Sequence, residues 1–125
     1  ASGKKEIWGD EDNVKKVFGQ LSEKYVAQGI PVYIGEMGCV HRGNERAESF
    51  RKYYLEYVCK AAREYGMAPF YWDNGAKGAG EERHAFINHG TGAYCSTEAK
   101  AAIEALVSSY TNALTIDDVY RNAPK

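Results

Sequence analysis

Ile30-Pro31-Val32-Tyr33-Ile34-Gly35-Glu36-Met37-Gly38 is a short apolar run that halts on a carboxylate and then a glycine. Met67-Ala68-Pro69-Phe70-Tyr71-Trp72-Asp73-Asn74-Gly75 repeats the pattern with an indole near its end. Apolar runs of this length, bounded by turn residues, read as buried strands. Between them Phe50, Tyr54, Tyr57, Val58, Ala61 and Tyr65 recur at helical spacing, while Arg46, Glu48, Arg51, Lys52, Glu56 and Lys60 fall largely on the other faces. Strand, amphipathic helix and strand make an α/β unit, in which parallel strands deliver their side chains into a site at the carboxyl ends. One strand offers a carboxylate there and the next an indole.

Working outward, Asp10, Glu11, Asp12 and Asn13 precede the periodic positions Val14, Val17, Phe18, Leu21, Tyr25 and Val26. That pattern predicts a helix over about residues 10–28 with acids at its positive end. Gly29 suits a left-handed cap, and Pro31 blocks continuation. The strands are expected over about 32–35 and 68–72, and the helix between them over about 44–65, opened by Asn44 and stopped by Gly66. Gly75, Gly78 and Gly80 mark residues 74–82 as an exposed loop, and Ala85 to Ile87 reads as a brief extended or turn segment before His89-Gly90-Thr91-Gly92. A last helix is expected over about 97–110, with Ala99, Ala102, Ile103, Leu106, Val107 and Tyr110 on its apolar side. Residues 115–120 read as a terminal appendage with a short helical turn. No repeat, low-complexity tract or linker divides the chain, so residues 1–125 form one unit.

The motifs Pro31-Val32-Tyr33-Ile34-Gly35-Glu36-Met37-Gly38 and Phe70-Tyr71-Trp72-Asp73-Asn74-Gly75, separated by a helix of this length, resemble the seventh and eighth strands of glycoside hydrolase family 5, which contains endo-β-1,4-glucanases (cellulases). The resemblance runs from about Trp8 to Tyr110, along the family's order of helix, strand, helix, strand, helix. It implies the C-terminal portion of a (β/α)8 TIM barrel, with two parallel strands and three main helices in this chain. It further implies that Glu36 is the nucleophile of a retaining endo-β-glycanase and that Trp72 forms a wall of the subsite holding the reacting sugar. A β-glucan or related plant polysaccharide would be the substrate, no cofactor would be needed, and the protein would be secreted or periplasmic. The family's acid/base glutamate lies in an Asn-Glu-Pro motif that is absent here, because Asn44-Glu45 is followed by Arg46. The family's early-strand arginine and histidine have no counterparts either.

Length gives the same answer. A (β/α)8 barrel typically needs about 250 residues, roughly twice the 125 present. Two parallel strands also leave both sheet edges open. The missing strands come from another polypeptide, from self-association, or from a longer protein of which this is a piece; isolated, the chain is expected to be inactive. Sixteen basic and seventeen acidic residues give a net charge of −1, which argues against an electrostatic nucleic-acid binder. No apolar stretch approaches a membrane span, and Ala1-Ser2-Gly3-Lys4-Lys5 is not followed by a leader's apolar core. Cys39, Cys59 and Cys95 are odd in number and lack CxxC spacing, so they support neither a zinc site nor a full disulfide framework.

Residue by residue, each candidate has a plain alternative. Glu36 is either a nucleophile or a strand-end carboxylate in an ion pair or solvent, and Trp72 is either a sugar platform or core. Asp73 is assigned to loop ordering and Asn74 to substrate contact. Trp8, ahead of the first helix, is a second stacking surface or packs on that helix. His41, in the loop after Glu36, lines the cleft or is solvated. His84 and His89 lack metal-ligand spacing, Glu81-Glu82-Arg83 reads as an exposed charge run, and neither glycine cluster has the spacing of a phosphate-binding loop. The reading from another class is a non-catalytic carbohydrate-binding or assembly module; a third is a small α/β domain that covers its strand edges by dimerising.

Overall fold

The computed structural model describes residues 7–125; the Ala1 to Lys5 stretch discussed above lies outside the described residues. Asp10 opens helix α1 (Glu11–Lys24), its carboxylate accepting the Asn13 N–H at 2.9 Å. One of the four donors that a first turn leaves unpaired is thereby satisfied. The α-helix stops at Lys24 rather than near residue 28, because Val26–Gln28 tightens into a 3-10 turn. Gly29, at φ 77°, closes that turn, and the Ile30 N–H returns to the Tyr25 carbonyl at 3.1 Å. The last carbonyls are thus used up while the chain swings into its strand.

Strand β1 (Tyr33–Met37) pairs in parallel with β2 (Ala68–Tyr71), with Tyr33 opposite Ala68, Ile34 opposite Pro69 and Met37 opposite Tyr71. Three steps along β1 match two along β2, so β1 carries one extra residue as a bulge between Ile34 and Met37. Helix α2 (Glu45–Glu64) crosses between the strands, capped by Asn44, which accepts the Ala47 N–H at 2.9 Å. Ser96 caps α3 (Thr97–Thr111) in the same way, and Thr115 with Asp118 forms a reciprocal capping box on α4 (Ile116–Arg121).

Helix α2 is the centre of the core, touching α1, α3, α4 and β2. Leu55, Ala61 and Ala62 have no exposed surface, and the two alanines are small enough to let neighbouring elements come close. Enclosure on several sides corrects the sequence reading of this helix. Glu48, Arg51 and Lys60, assigned to polar faces, are buried, whereas Phe50, assigned to the apolar face, is exposed beneath the Arg46 guanidinium, 5.2 Å from its ring centre. A helix packed from several directions retains little solvent face for its charges, so each buried one needs a partner. Lys60 finds its partner in the Asn112 carbonyl at 2.8 Å, where the negative end of α3 favours a cation. The 115–120 segment is not an appendage either. Ile116 and Val119 enter the core, and the Glu64 carboxylate accepts the Ile116 N–H at 2.8 Å.

The sheet has one covered face and one bare face. Tyr33 is 70% exposed, Phe70 56% and Trp72 47%. The Tyr33 and Phe70 rings meet edge to face at 5.8 Å. Among the described residues neither strand has a second neighbour, which leaves an open edge on each side.

Candidate active site

Side chains of an unbroken strand alternate between faces, so counting from exposed Tyr33 would turn Glu36 toward the helices. The bulge reverses that parity. Gly35 and Glu36 are both exposed and Met37 is buried, which puts Glu36 on the bare face with Tyr33, Phe70 and Trp72. Among the described residues the Glu36 carboxylate has no hydrogen bond or ion pair. The next residue, Met37, accepts the Trp72 N–H at 2.8 Å. That bond locks the segment carrying the carboxylate against the segment carrying the indole. Gly38 follows, and a Cβ there would stand 3.2 Å from Tyr71 Cε2 and 3.6 Å from His84 Nδ1. A side chain there would press the Tyr71 ring back by a few tenths of an ångström, while its contact with His84 would be an ordinary one.

Asp73 orders the loop after β2. Its Oδ1 accepts the Gly75 N–H at 2.8 Å and pairs with His89 Nε2 at 3.1 Å, while Oδ2 accepts the Phe86 and Ile87 N–H groups at 3.0 and 3.4 Å. Burial pushes this carboxyl up, but the three backbone donors and the His89 charge outweigh it and hold it below the usual aspartate value. Gly75, at φ 74°, lets His89 close in; a Cβ there would meet His89 Nδ1 at 2.8 Å. Asn74 also bonds within the loop, its amide donating to the Glu82 carbonyl at 2.8 Å and accepting the Ala76 N–H at 3.1 Å.

Trp8 is 83% exposed, so it does not pack on α1. His41 is half-buried, and its Nδ1 pairs with Glu48 Oε1 at 2.8 Å. It borders an open groove of about 600 Å³ between the N-terminal turns of α2 and α3, lined also by Asn44, Lys52, Ser96 and Glu98. Neither Glu36 nor Trp72 reaches that groove. Glu81, Glu82 and Arg83 are exposed. Among the described residues no group of three His, Cys, Asp or Glu side chains is placed to hold a metal ion. The three cysteines are free thiols, and burial raises that of Cys39 to about 11, far from a reactive thiolate.

The sequence reading missed a buried polar cluster behind the strand ends. Arg51, 4% exposed, donates through Nε to the Cys39 carbonyl at 3.1 Å and through Nη2 to Tyr71 Oη at 3.1 Å and the His84 carbonyl at 3.2 Å. Glu48 lies 3.5 Å from its Nη1 and accepts the Arg42 N–H at 3.0 Å. Burial raises the Glu48 carboxyl, yet the Arg42, His41 and Arg51 groups prevail and hold it below its ordinary value. A signal was present in the sequence. Arg51 is spaced four, seven and eleven residues from Leu55, Val58 and Ala62, which places a charge within the apolar stripe.

The sequence profile of Cellulase (glycosyl hydrolase family 5) matches residues 1–78. Endoglucanase A of Paenibacillus barcinonensis is 35% identical over 77 residues, 60% of this chain and 19% of that protein. Among solved structures, a Bacteroidetes-affiliated GH5 cellulase linked with a polysaccharide utilization locus superposes on 100% of the chain and 34% of its own length, with a TM-score of 0.87 and 33% identity. A GH5-4 broad specificity endoglucanase from Bacteroides salanitronis covers 90% of the chain and 29% of its own length, with a TM-score of 0.81 and 50% identity. The chain therefore spans about a fifth to a third of the relatives it matches, and its two strands and three main helices are part of a (β/α)8 barrel.

Proposed function

The chain belongs to glycosyl hydrolase family 5, the cellulase family, and from that membership we propose that it is the part of a retaining, endo-acting β-1,4-glucan hydrolase that carries the nucleophile, Glu36. A retaining glycosidase uses two carboxyl groups about 5 to 5.5 Å apart. One attacks the anomeric carbon; the other protonates the departing oxygen and later activates water. The attacking group must be ionised, accessible and carried by a rigid element, and Glu36 stands exposed and unpaired at the end of β1. Its oxygen forms an ester bond to the anomeric carbon as the glycosidic C–O bond breaks. Water then cleaves the ester, and two inversions leave the configuration retained.

Trp72 offers the apolar face against which the reacting sugar packs, with its indole N–H free to donate to a hydroxyl. Trp8 is a second stacking surface, whereas His41 is turned onto Glu48 beside a separate groove and the Asn74 amide is bonded within its own loop, so neither is given a substrate contact. The acid/base carboxylate lies outside this chain, since the sequence contains no Asn-Glu-Pro. The 125 residues alone are therefore inactive. The bare sheet face and the open strand edges are where the rest of the barrel joins. The endoglucanase relatives favour β-1,4-glucan, a polymer too large to enter a cell, and hence action outside the cytoplasm.

The observation that carries this reading is the bond from the Trp72 N–H to the Met37 carbonyl, which holds an unpaired carboxylate and an exposed indole on one face. In the protein with its barrel complete, Glu36→Gln should lower hydrolysis of carboxymethylcellulose by roughly ten-thousand-fold or more while cellooligosaccharide binding persists. Near-native turnover by that variant, or robust turnover from a preparation containing this chain alone, would overturn the proposal.

A further inference from the structure

Resting on that reading of Glu36 and Trp72, we propose that Arg51, on the helix-covered side of the sheet, is the positioning residue that fixes the nucleophile's strand end relative to the sugar wall. Its guanidinium joins the segments that carry the two groups. Cys39, whose carbonyl it binds at 3.1 Å, lies three residues after Glu36. Tyr71, whose hydroxyl it binds at 3.1 Å, immediately precedes Trp72. His84, whose carbonyl it binds at 3.2 Å, lies within the loop that Trp72 begins, and Tyr71 Oη donates to the same carbonyl at 2.6 Å. The ring of Phe86 lies 4.2 Å from the guanidinium carbon and holds it in place. Glu48 balances the charge and also takes the Arg42 N–H and the His41 ring, both in the loop after β1.

Packing alone does not require this arrangement, because apolar side chains of similar volume often serve stability as well as a buried ion pair does. They lack donors aimed in fixed directions at three separate acceptors. Arginine has them in a planar fork, whereas the single ammonium of lysine cannot span the same set. Gly38 fits this assignment, since its missing side chain lets the Tyr71 ring sit close to the chain just past Glu36.

The test uses the barrel-complete protein and a 2,4-dinitrophenyl 2-deoxy-2-fluoro-β-cellobioside. The Glu36 carboxylate forms an ester bond to the anomeric carbon, and dinitrophenolate leaves with the electron pair of the broken C–O bond. Release of the phenolate reports two quantities: the amplitude counts correctly folded sites, and the rate constant reports their geometry. Arg51→Lys should leave the half-saturating inhibitor concentration within about twofold and lower the trapping rate constant roughly 10- to 100-fold, the effect expected of a reacting group misplaced by an ångström or less. Tyr71→Phe, which removes one hydroxyl from the cluster, should lower the rate constant by a smaller factor in the same direction and decides the matter if Arg51→Lys does not fold. Native rate constants with reduced amplitude would overturn the proposal and leave Arg51 a purely structural residue. Trapping by native protein, with none in Glu36→Gln, shows separately that the underlying reading holds; equal trapping of both would defeat that reading instead.

Discussion

Asp73→Asn exchanges a carboxylate for an amide of the same shape at a side chain that gathers the loop after β2. The carboxylate accepts from Gly75, Phe86 and Ile87 and pairs with His89. An amide has one accepting oxygen. Turned toward Phe86 and Ile87, it points its NH2 at the Gly75 N–H; turned the other way, it confronts two backbone donors. In the better orientation one bond to a charged acceptor is lost, worth about 1.5 to 3 kcal/mol, and two others become neutral. Partial exposure of the group and relaxation of the loop reduce the net, leaving about 2 kcal/mol. Urea unfolding at pH 7 should show the midpoint falling with an unchanged slope, and the Phe86 and Ile87 amides should exchange faster. The aspartate's native pKa is depressed, so its contribution is complete above the unfolded value near 3.9 and disappears as pH falls through the native value. The two proteins should therefore differ at neutral pH and converge in acid. Equal midpoints at pH 7 with native exchange protection at Phe86 and Ile87 would refute the reasoning.

Gly75→Ala adds a Cβ at φ 74° and 2.8 Å from His89 Nδ1, so it should cost about 1 to 3 kcal/mol and displace the imidazole, seen as changed His89 ring shifts by NMR. Leu55→Ala empties a position with no exposed surface at the centre of α2 and should destabilise by about 2 to 5 kcal/mol in denaturant unfolding. Trp72→Ala in the barrel-complete enzyme removes about 100 Å² of stacking surface, about 2.5 kcal/mol at 25 cal/mol per Å². Steady-state assays on cellooligosaccharides should then show kcat/KM reduced roughly 70-fold.

Much of the local architecture is written in the order of residue types. The apolar runs ending on Glu36 and Trp72, the caps at Asp10, Asn44 and Ser96 and the glycine stop at Gly66 depend on neighbours within a few positions, where periodicity and capping chemistry operate. The loop-ordering role of Asp73 belongs with these, because its nearest partner is two residues away. The faces of α2 were less legible. Charges in an amphipathic pattern normally mark solvent, and nothing local to Glu48 or Lys60 announces that other helices cover them; only Arg51, at helical spacing from Leu55, Val58 and Ala62, carried a signal.

The sequence by itself determined that two parallel strands would bring a carboxylate and an indole to their carboxyl ends, and that most of the barrel is missing from this chain. Tertiary structure alone decided the direction in which Glu36 faces. Strict alternation would have turned it toward the helices, and one extra residue in β1 against the register of β2 brings it to the face of Trp72. Register is a relation between two strands more than thirty residues apart, fixed by their hydrogen bonds and by what packs behind them, so no reading of either strand alone contains it.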